Sequence, residues 1–217
     1  MKAIINNETI DLLLNHETSF LKSLLGKSVS IVGNSGILLE KEYGEQIDEA
    51  EVVVRFGDAP VLGFEKHVGA QSDIRVVNSH NFAGTSDLNK FPDMDLNFFP
   101  NLRGEVLIVK SWIPHEFMLG VLRTTPQNNV YFMNPSFTNY CNQLTGRQEA
   151  TCGLVGTFFM ALFARQISCF GFNFYKGDWD KKNYYTRMRP YKQGHDFDRE
   201  EEIFTQLEQD GKIKIYK

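Results

Sequence analysis

Cysteine is scarce in this 217-residue chain, and its few cysteines predict neither a disulfide framework nor a metal site. Cys141, Cys152 and Cys169 are odd in number and lack the spacing of metal-ligating cysteines. Disulfides persist mainly in oxidising compartments, so a chain of this kind, with no export signal at its start, is typical of a reducing environment. We therefore expect a cytoplasmic protein.

Long apolar runs are also missing. Between Met1 and Gly26 the longest run is Leu12–Leu14, which is too short for a membrane span or a signal peptide. Apolar residues in the same stretch recur at helical spacing, so we predict a helical segment within residues 1–26 that packs on the core. The chain has no low-complexity tract or Pro/Gly-rich linker either. We therefore expect residues 1–217 to form a single domain.

Neither sign of charge is in excess. The formal net charge is −4, with acidic and basic residues interspersed, so no basic stripe is available to neutralise a phosphate backbone, and we expect no nucleic-acid partner. A dinucleotide-binding fingerprint is absent as well. The segment Gly33–Gly36 does not fit G-x-G-x-x-G, and the second predicted strand ends in Arg55-Phe56 rather than in an acidic residue. This argues against hydride transfer on a nicotinamide cofactor.

What the chain does contain is an alternation of strand and helix signals. Short β-branched or aromatic runs predict seven strands, at Ser28–Val32, Glu51–Phe56, Ile74–Asn78, Glu105–Lys110, Asn129–Met133, Gln166–Phe172 and Lys212–Tyr216. Helical signals are clearest at Pro114–Arg123, Pro135–Leu144, Gly153–Arg165 and Arg199–Gln209. The alternation predicts a Rossmann-like α/β fold, a doubly wound sheet of mostly parallel strands with helices on both faces. The third of these helices is apolar nearly all round, so we place it against the centre of the sheet.

The first candidate site follows the first predicted strand. Ser28–Val32 leads directly into Gly33–Gly36, whose sequence GNSG predicts a tight turn. Glycine lets the backbone approach a phosphate or a ribose closely, and the amides of such a turn donate to an anion. Ligands of doubly wound folds bind at the carboxyl ends of the strands. The turn favours a nucleotide site, although many such turns serve structure only.

Four groups of residues follow one another along residues 28 to 216. The first comprises Ile31–Gly36, Ile47-Asp48, Val54–Phe56, Ala59-Pro60, Gly63–Glu65, Val68-Gly69 and Ile74-Arg75. The later groups are Thr151–Gly153 with Phe170–Phe172, then Tyr184-Tyr185, then His195 and Glu200 in the pattern H-x4-E. In this order they resemble the L, S, third and very small (VS) motifs of the animal-type sialyltransferases, glycosyltransferase family 29.

This resemblance implies a GT-A-like variant of the fold and an inverting transfer of sialic acid from CMP-sialic acid to a glycan hydroxyl. It implies no metal ion, and no cofactor apart from the donor substrate. His195 would be the general base, because imidazole has a reference pKa of about 6.5 and accepts a hydroxyl proton near neutral pH. Glu200 would support it. The donor-binding residues that the resemblance implies are Asn34, Ser35, Gly36, Gly57, Asp58, Thr151, Cys152, Gly153, Gly171, Asn173, Asn183 and Tyr184.

The sequence departs from the family pattern at two of these positions. Gly57 stands where the family commonly has an asparagine that grips the nucleotide. Asn183 stands in place of the histidine of the third motif, with Lys181-Lys182 as candidate replacements for its positive charge. These departures leave a related CMP-activated 2-keto sugar acid, such as Kdo, as an alternative donor.

Val29 and Ala164 stand where relatives of the secretory pathway carry the two cysteines that join the L and S motifs. The loss of both cysteines leaves no orphan thiol and fits a reducing compartment. The sequence also shows none of the membrane anchor or stem of those relatives. We therefore expect a compact, cytosolic, bacterial or viral member.

Two other functions stay open at the level of the sequence. A metal-dependent glycosyltransferase would hold its ion with a D-x-D motif. The candidates are Asp93/Asp95, Asp178/Asp180 and Asp196/Asp198. A non-catalytic nucleotide- or glycan-binding protein would keep the fold, and the departures at Gly57 and Asn183 favour it.

His195 also has a purely structural interpretation. It would then be a loop histidine that precedes a helix, with Asp198 and Glu201 forming a capping box. Within the motif, a structural role of Glu200 also stays open, in which it orients the loop or meets the N-terminus of that helix.

Overall fold

A computed structural model of the chain describes residues 18–57, 59–78, 105–110, 129–146, 148–176, 183–185 and 194–217. The strands among these residues are β1 (Ser28–Val32), β2 (Val52–Phe56), β3 (Ile74–Asn78), β4 (Val106–Lys110), β5 (Val130–Phe132), β6 (Gln166–Phe170) and β7 (Lys214–Tyr216). The helices are α1 (Thr18–Leu24), α2 (Gly44–Asp48), α3 (Glu65–Val68), α4 (Pro135–Leu144), α5 (Cys152–Ala161) and α6 (Phe197–Gln209), and a 3-10 helix covers Gly36–Glu40.

The seven strands form one sheet in the order β5-β4-β3-β2-β1-β6-β7. Every neighbouring pair is parallel. The chain builds outward from β1 to β5 on one side and then continues on the other side with β6 and β7. The predicted doubly wound α/β sheet is therefore confirmed, and its topological switch point lies between β1 and β6, where such folds bind ligands.

Helix α5 lies in the core, as its all-round apolar sequence predicts. Its residues from Leu154 to Met160 are all buried, and the helix contacts β3 and β6. Each apolar side chain buried in this way contributes about 1.5–3 kcal/mol to folding. Gly156 allows the close approach, because a Cβ atom there would lie 2.8 Å from the ring of Phe56.

Two buried arginines of the strands stabilise the loops around the sheet. Arg75 forms an ion pair with Glu105 at 2.8 Å and donates to the backbone carbonyls of Gly57 and Ala59, in the loop after β2. Arg55 donates to backbone carbonyls in the loop before β3. Burial lowers the pKa of Arg55 to about 10. The arginines of the first motif therefore contact protein backbone and not the cleft.

Several predicted boundaries are corrected by the structure. Strand β6 ends at Phe170 and not at Phe172, because Gly171 turns the chain with a φ of +73°. Helix α5 ends at Ala161 and not at Arg165. Helix α6 begins at Phe197 and is capped by Asp196, whose carboxylate accepts from the amide of Arg199, so the predicted capping box at Asp198 and Glu201 is wrong.

Two helical predictions fall wholly or partly outside the described residues. The helix predicted at 114–123 lies outside them, and of the predicted segment 1–26 the structure describes α1, with Leu24 buried in the core. No helix within the described ranges combines the length and the apolar character that crossing a bilayer requires.

Candidate functional site

A cleft of about 250 Å³ lies at the carboxyl edge of the sheet, at the switch point between β1 and β6. It is built from the turns that follow β1 and β6, the first turn of α5, the start of α6 and the ends of β2, β3 and β4. The residues that line it are Gly33, Asn34, Ser35, Phe56, Asn78, Lys110, Thr151, Cys152, Gly153, Gly171, Phe172, Asn173, Phe174, Tyr175, His195, Phe197 and Glu200.

The turns after β1 and β6 lie directly against each other. The amide of Gly33 donates to the carbonyl of Phe170 at 2.7 Å, and the amide of Ser35 donates to the carbonyl of Gly171 at 3.3 Å. A Cβ atom on Gly33 would lie 2.5 Å from the Gly171 oxygen, closer than any carbon can approach it. Backbone packing therefore requires a glycine at position 33. The hydrogen bond to Gly171 occupies the amide of Ser35.

Asn34 lines the cleft and carries a buried side-chain acceptor. Its Nδ2 donates to the carbonyl of Phe56 at 3.4 Å, which fixes the orientation of the amide. Its buried Oδ1 has no hydrogen-bond partner among the residues that the structure describes. An unpaired buried acceptor is costly, so this oxygen suits a donor group of a ligand.

The N-terminus of α5 opens on the cleft. The hydroxyl of Thr151 caps this helix by accepting from the amide of Leu154 at 3.1 Å. Cys152 and Gly153 form the first turn and line the cleft. A helix N-terminus carries partial positive charge, so this position favours a phosphate or a carboxylate.

The ring of His195 lines the same cleft, and a backbone contact determines its tautomer. Its Nδ1 lies 2.5 Å from the carbonyl oxygen of Glu149. A carbonyl can only accept, so Nδ1 carries the proton in this contact. Nε2 of the neutral ring is then an acceptor, which is the state that a general base requires.

The carboxylate of Glu200 is buried beside these groups. It accepts from the amide of Thr151 at 2.8 Å and from the Thr151 hydroxyl at 2.7 Å. Burial raises the pKa of Glu200, while the hydrogen bonds from Thr151 and the nearby His195 oppose that rise. The structure therefore places the carboxylate of Glu200 at the N-terminus of α5, where Thr151 is the cap.

The turn after β6 gives the cleft an aromatic wall. Phe174 and Tyr175 both have left-handed backbone conformations, with φ of +51° and +57°. Asn173 holds this turn, because its Oδ1 accepts from the amide of Tyr175 and its Nδ2 donates to the carbonyl of Lys176. Non-glycine residues adopt this conformation at a cost of about 1–3 kcal/mol, and such strain clusters at functional sites.

Four predicted donor-binding residues do not line the cleft. Gly36 is buried at the start of the 3-10 helix, and the carbonyl of Gly57 accepts from Arg75. Asn183 is half-buried outside the lining. Tyr184 is buried in the core, where its hydroxyl donates to the carbonyl of Pro60 at 2.5 Å. Packing of Tyr184 against Phe64 keeps its ring out of the cleft, although its amide donates to the carbonyl of Asn34.

Other predicted residues have structural partners or lie outside the described residues. Asp196 caps α6, and Asp198 lies 3.7 Å from the ammonium group of Lys176. The positions outside the described residues are Asp58, Asp93, Asp95, Asp178, Asp180, Lys181 and Lys182.

Sequence reasoning missed several cleft residues. Lys110 and Asn78 line the cleft from the carboxyl ends of β4 and β3. A polar residue that ends an apolar strand of a parallel sheet is the signal that would have identified both. Phe174 and Tyr175 had no comparable signal, because aromatic residues after a strand resemble ordinary core residues in the sequence.

Known proteins share both the sequence pattern and the fold. Over residues 3–212 the chain matches the model of glycosyltransferase family 29 (sialyltransferase). The human CMP-N-acetylneuraminate-beta-galactosamide-alpha-2,3-sialyltransferase 1 is 29% identical over 203 residues, which cover 87% of this chain and 58% of the human protein. Sialyltransferase-like protein 2 of Arabidopsis thaliana is 28% identical over 211 residues, 96% of this chain and 43% of the plant protein. The chain thus spans about half the length of these relatives.

A crystal structure of a mammalian sialyltransferase in complex with Gal-beta-1-3GalNAc-ortho-nitrophenol shares the fold, with a TM-score of 0.69 at 22% identity. The match covers 100% of this chain and 81% of that one. The bacterial or viral origin stays a prediction. The family-model match covers nearly the whole chain, and the chain therefore belongs to glycosyltransferase family 29, the sialyltransferases.

Proposed function

We propose that this chain transfers sialic acid, or a related 2-keto sugar acid such as Kdo, from its CMP-activated form to a hydroxyl of a glycan, with inversion and without a metal ion. The observation that supports this most directly is the shared cleft. The cleft is lined by His195, whose Nδ1 contact leaves Nε2 as an acceptor, by the first turn of α5 and by Asn34.

The proposed donor would bind at the carboxyl edge of the sheet, at the switch point between β1 and β6. Its phosphate or its carboxylate suits the partial positive charge at Cys152 and Gly153, and a donor group of the nucleotide suits the Oδ1 of Asn34. The acceptor sugar can place its apolar face on the aromatic wall of Phe172, Phe174 and Tyr175.

In the reaction, the Nε2 of His195 takes the proton of the acceptor hydroxyl while that oxygen attacks the anomeric carbon of the donor. The bond from the anomeric carbon to the phosphate oxygen breaks, and its electron pair leaves with CMP. Attack opposite to the leaving group inverts the configuration. Negative charge grows on the phosphate in the transition state, and a helix N-terminus stabilises it there.

CMP-sialic acid is the first donor to test, because the human relative is named for the transfer of N-acetylneuraminate. CMP-Kdo offers the same carboxylate, anomeric carbon and leaving group. We also propose a cytoplasmic location, which the free thiols of Cys141, Cys152 and Cys169 support. Cell fractionation checks it.

The test of the proposal is CMP release from each donor, followed by transfer to a panel of glycans. His195→Ala should lower turnover by about 10²–10⁴-fold while CMP binding, measured by calorimetry, stays unchanged. His67→Ala is a matched control, because the Nδ1 of His67 also contacts a backbone carbonyl, that of Lys41 at 2.8 Å, but outside the cleft.

Three outcomes would contradict parts of the proposal. CMP binding without release from either donor would favour the non-catalytic alternative. Full activity of His195→Ala would exclude His195 as the base. Turnover that is lost on chelation and restored by a divalent ion would favour the D-x-D mechanism.

A further inference from the structure

A buried lysine of the cleft has no part in the steps above. Lys110 ends β4, and its side chain is almost completely buried. Its ammonium group donates to the carboxylate of Glu149 at 2.9 Å and to the carbonyl of Ala150. A buried ammonium ion is tolerated only when it is paired and hydrogen-bonded, so this lysine holds the loop of Glu149 against the edge of the sheet.

The same loop holds His195 through two backbone contacts. The amide of Glu149 donates to the carbonyl of Gly194 at 2.8 Å. The carbonyl of Glu149 accepts from the Nδ1 of His195 at 2.5 Å. Glu149 therefore contacts the sheet with its side chain and the histidine segment with its backbone.

A second strand contributes to the same anchor. Asn78, at the end of β3, donates to the same carboxylate oxygen of Glu149 at 3.4 Å. Side chains from two neighbouring strands thus hold the carboxylate of Glu149. Loss of the ion pair would free the carbonyl that holds the proton on Nδ1, and either ring nitrogen could then carry it.

We infer that Lys110 and Glu149 are positioning residues for His195. Their ion pair fixes the Glu149 carbonyl, and that carbonyl keeps the proton on Nδ1 and leaves Nε2 as the acceptor. The inference rests on the proposed function only where it treats His195 as the base. Its alternative is that Lys110, which also lines the cleft, attracts the anionic donor directly.

Kinetics of Lys110→Met, Glu149→Ala and the double variant separate the two roles. Positioning predicts that each single variant lowers kcat by about 10–100-fold with little change in donor KM, since small misplacements of a catalytic group have effects of this size. The double variant should be far less slow than the product of the two single effects, because both changes break the same ion pair. Each change also removes one hydrogen bond of its own, from Lys110 to Ala150 or from Asn78 to Glu149. Glu149→Gln should retain more activity than Glu149→Ala, because its amide oxygen still accepts from Lys110.

A raised donor KM in Lys110→Met, with normal kinetics in Glu149→Ala, would overturn the inference in favour of donor binding. Lys27→Met is the matched control. It removes an ion pair of similar length, with Glu51 at 2.7 Å, that is exposed and lies outside the cleft, so its kinetics should equal those of the wild type.

Nitrogen NMR of labelled histidine gives a readout that needs no activity. At alkaline pH, the neutral ring of His195 in wild type should be protonated on Nδ1, with the signal identified by its loss in His195→Ala. Lys110→Met and Glu149→Ala should shift the signal toward a mixture of tautomers. An unchanged tautomer in folded variants would overturn the inference.

This readout also separates the two proposals. A wild-type protein that releases no CMP, but whose tautomer shifts in the variants, would refute the proposed function and support the inference. Should Lys110→Met fail to fold, as judged by near-ultraviolet circular dichroism, Glu149→Ala carries the test, because its side chain is about one-third exposed.

Discussion

The carboxylate of Glu200 and the backbone amide of Thr151, 49 residues apart in the chain, are joined by a 2.8 Å hydrogen bond. Thr151 caps α5, and Glu200 lies in the first turn of α6. This contact joins the N-termini of two helices at one cleft. It also brings the segment that carries His195 to the part of the cleft that is suited to an anion.

Removal of the Thr151 hydroxyl should loosen this junction. Thr151→Val keeps the shape of the side chain. It loses the hydroxyl that accepts from the amide of Leu154 and donates to the carboxylate of Glu200. We expect a loss of about 1–3 kcal/mol in the free energy of unfolding and weaker binding of CMP. Urea unfolding and calorimetry measure the two effects. Thr151→Ser keeps the hydroxyl and is the control; an equal loss in both variants would contradict the prediction.

Glu200 should make a pH-dependent contribution to stability. Burial raises its pKa above the ordinary value of 4.5, so as the pH rises past that value the carboxyl ionises first in the unfolded state. The stability attributable to Glu200 is therefore greatest at low pH, falls as the pH rises, and levels off above the folded-state pKa. Glu200→Gln has no carboxyl to ionise at this position.

The free energy of unfolding of wild type minus that of Glu200→Gln should thus decrease as the pH rises above 4.5. Urea unfolding of both proteins at several pH values measures it. A difference that increases over this range would show that the hydrogen bonds from Thr151 outweigh burial.

Gly33→Ala should disturb the cleft. Its Cβ atom would lie 2.5 Å from the carbonyl oxygen of Gly171, and neither backbone segment can yield without moving a strand end. We expect a loss of about 1–3 kcal/mol in stability, which is typical of overpacking, together with reduced affinity for CMP. Gly211→Ala is the control, because a Cβ there meets no atom within 4 Å and only its positive φ adds strain. Calorimetry that finds normal CMP affinity in Gly33→Ala would contradict the prediction.

Arg75→Met should be strongly destabilising. It removes the buried guanidinium that pairs with Glu105, and with it the donors to the carbonyls of Gly57 and Ala59. Breaking one side of a buried pair costs about 3–5 kcal/mol. Lys66→Met removes an exposed pair with Glu42, which should cost at most about 1 kcal/mol. Chemical denaturation measures the loss of stability in both variants. Similar losses would contradict the prediction, because the buried pair would then stabilise the protein no more than the exposed pair.

The sequence predicted the secondary structure well wherever the signal was local. The strand Ile74–Asn78 and the helix Pro135–Leu144 begin and end where they were predicted. Both have clear local signals: an apolar β-branched run in the first, and a proline after an asparagine cap in the second. The boundary at Phe172 was missed, because a positive φ at Gly171 is not visible in an apolar run.

The sequence also predicted most of the cleft, since its residues follow strands or open helices of a parallel sheet. Asn34 and Gly171 follow strands, and Thr151 opens a helix. Tyr184 was expected at the donor but is buried in the core. Its ring packs against Phe64, and its hydroxyl donates to the carbonyl of Pro60. Neither contact can be read from a single sequence, since each joins segments that are remote along the chain.

By itself, the sequence determined the alternation of strands and helices, the buried position of α5 and the membership of the family, because apolar periodicity and the order of motifs along the chain are read without knowing which segments touch. Only the tertiary structure decided which nitrogen of His195 carries the proton, which helix Glu200 supports and which loop Lys110 holds. Those properties depend on contacts between distant segments, and the order of the strands in the folded sheet brings those segments together.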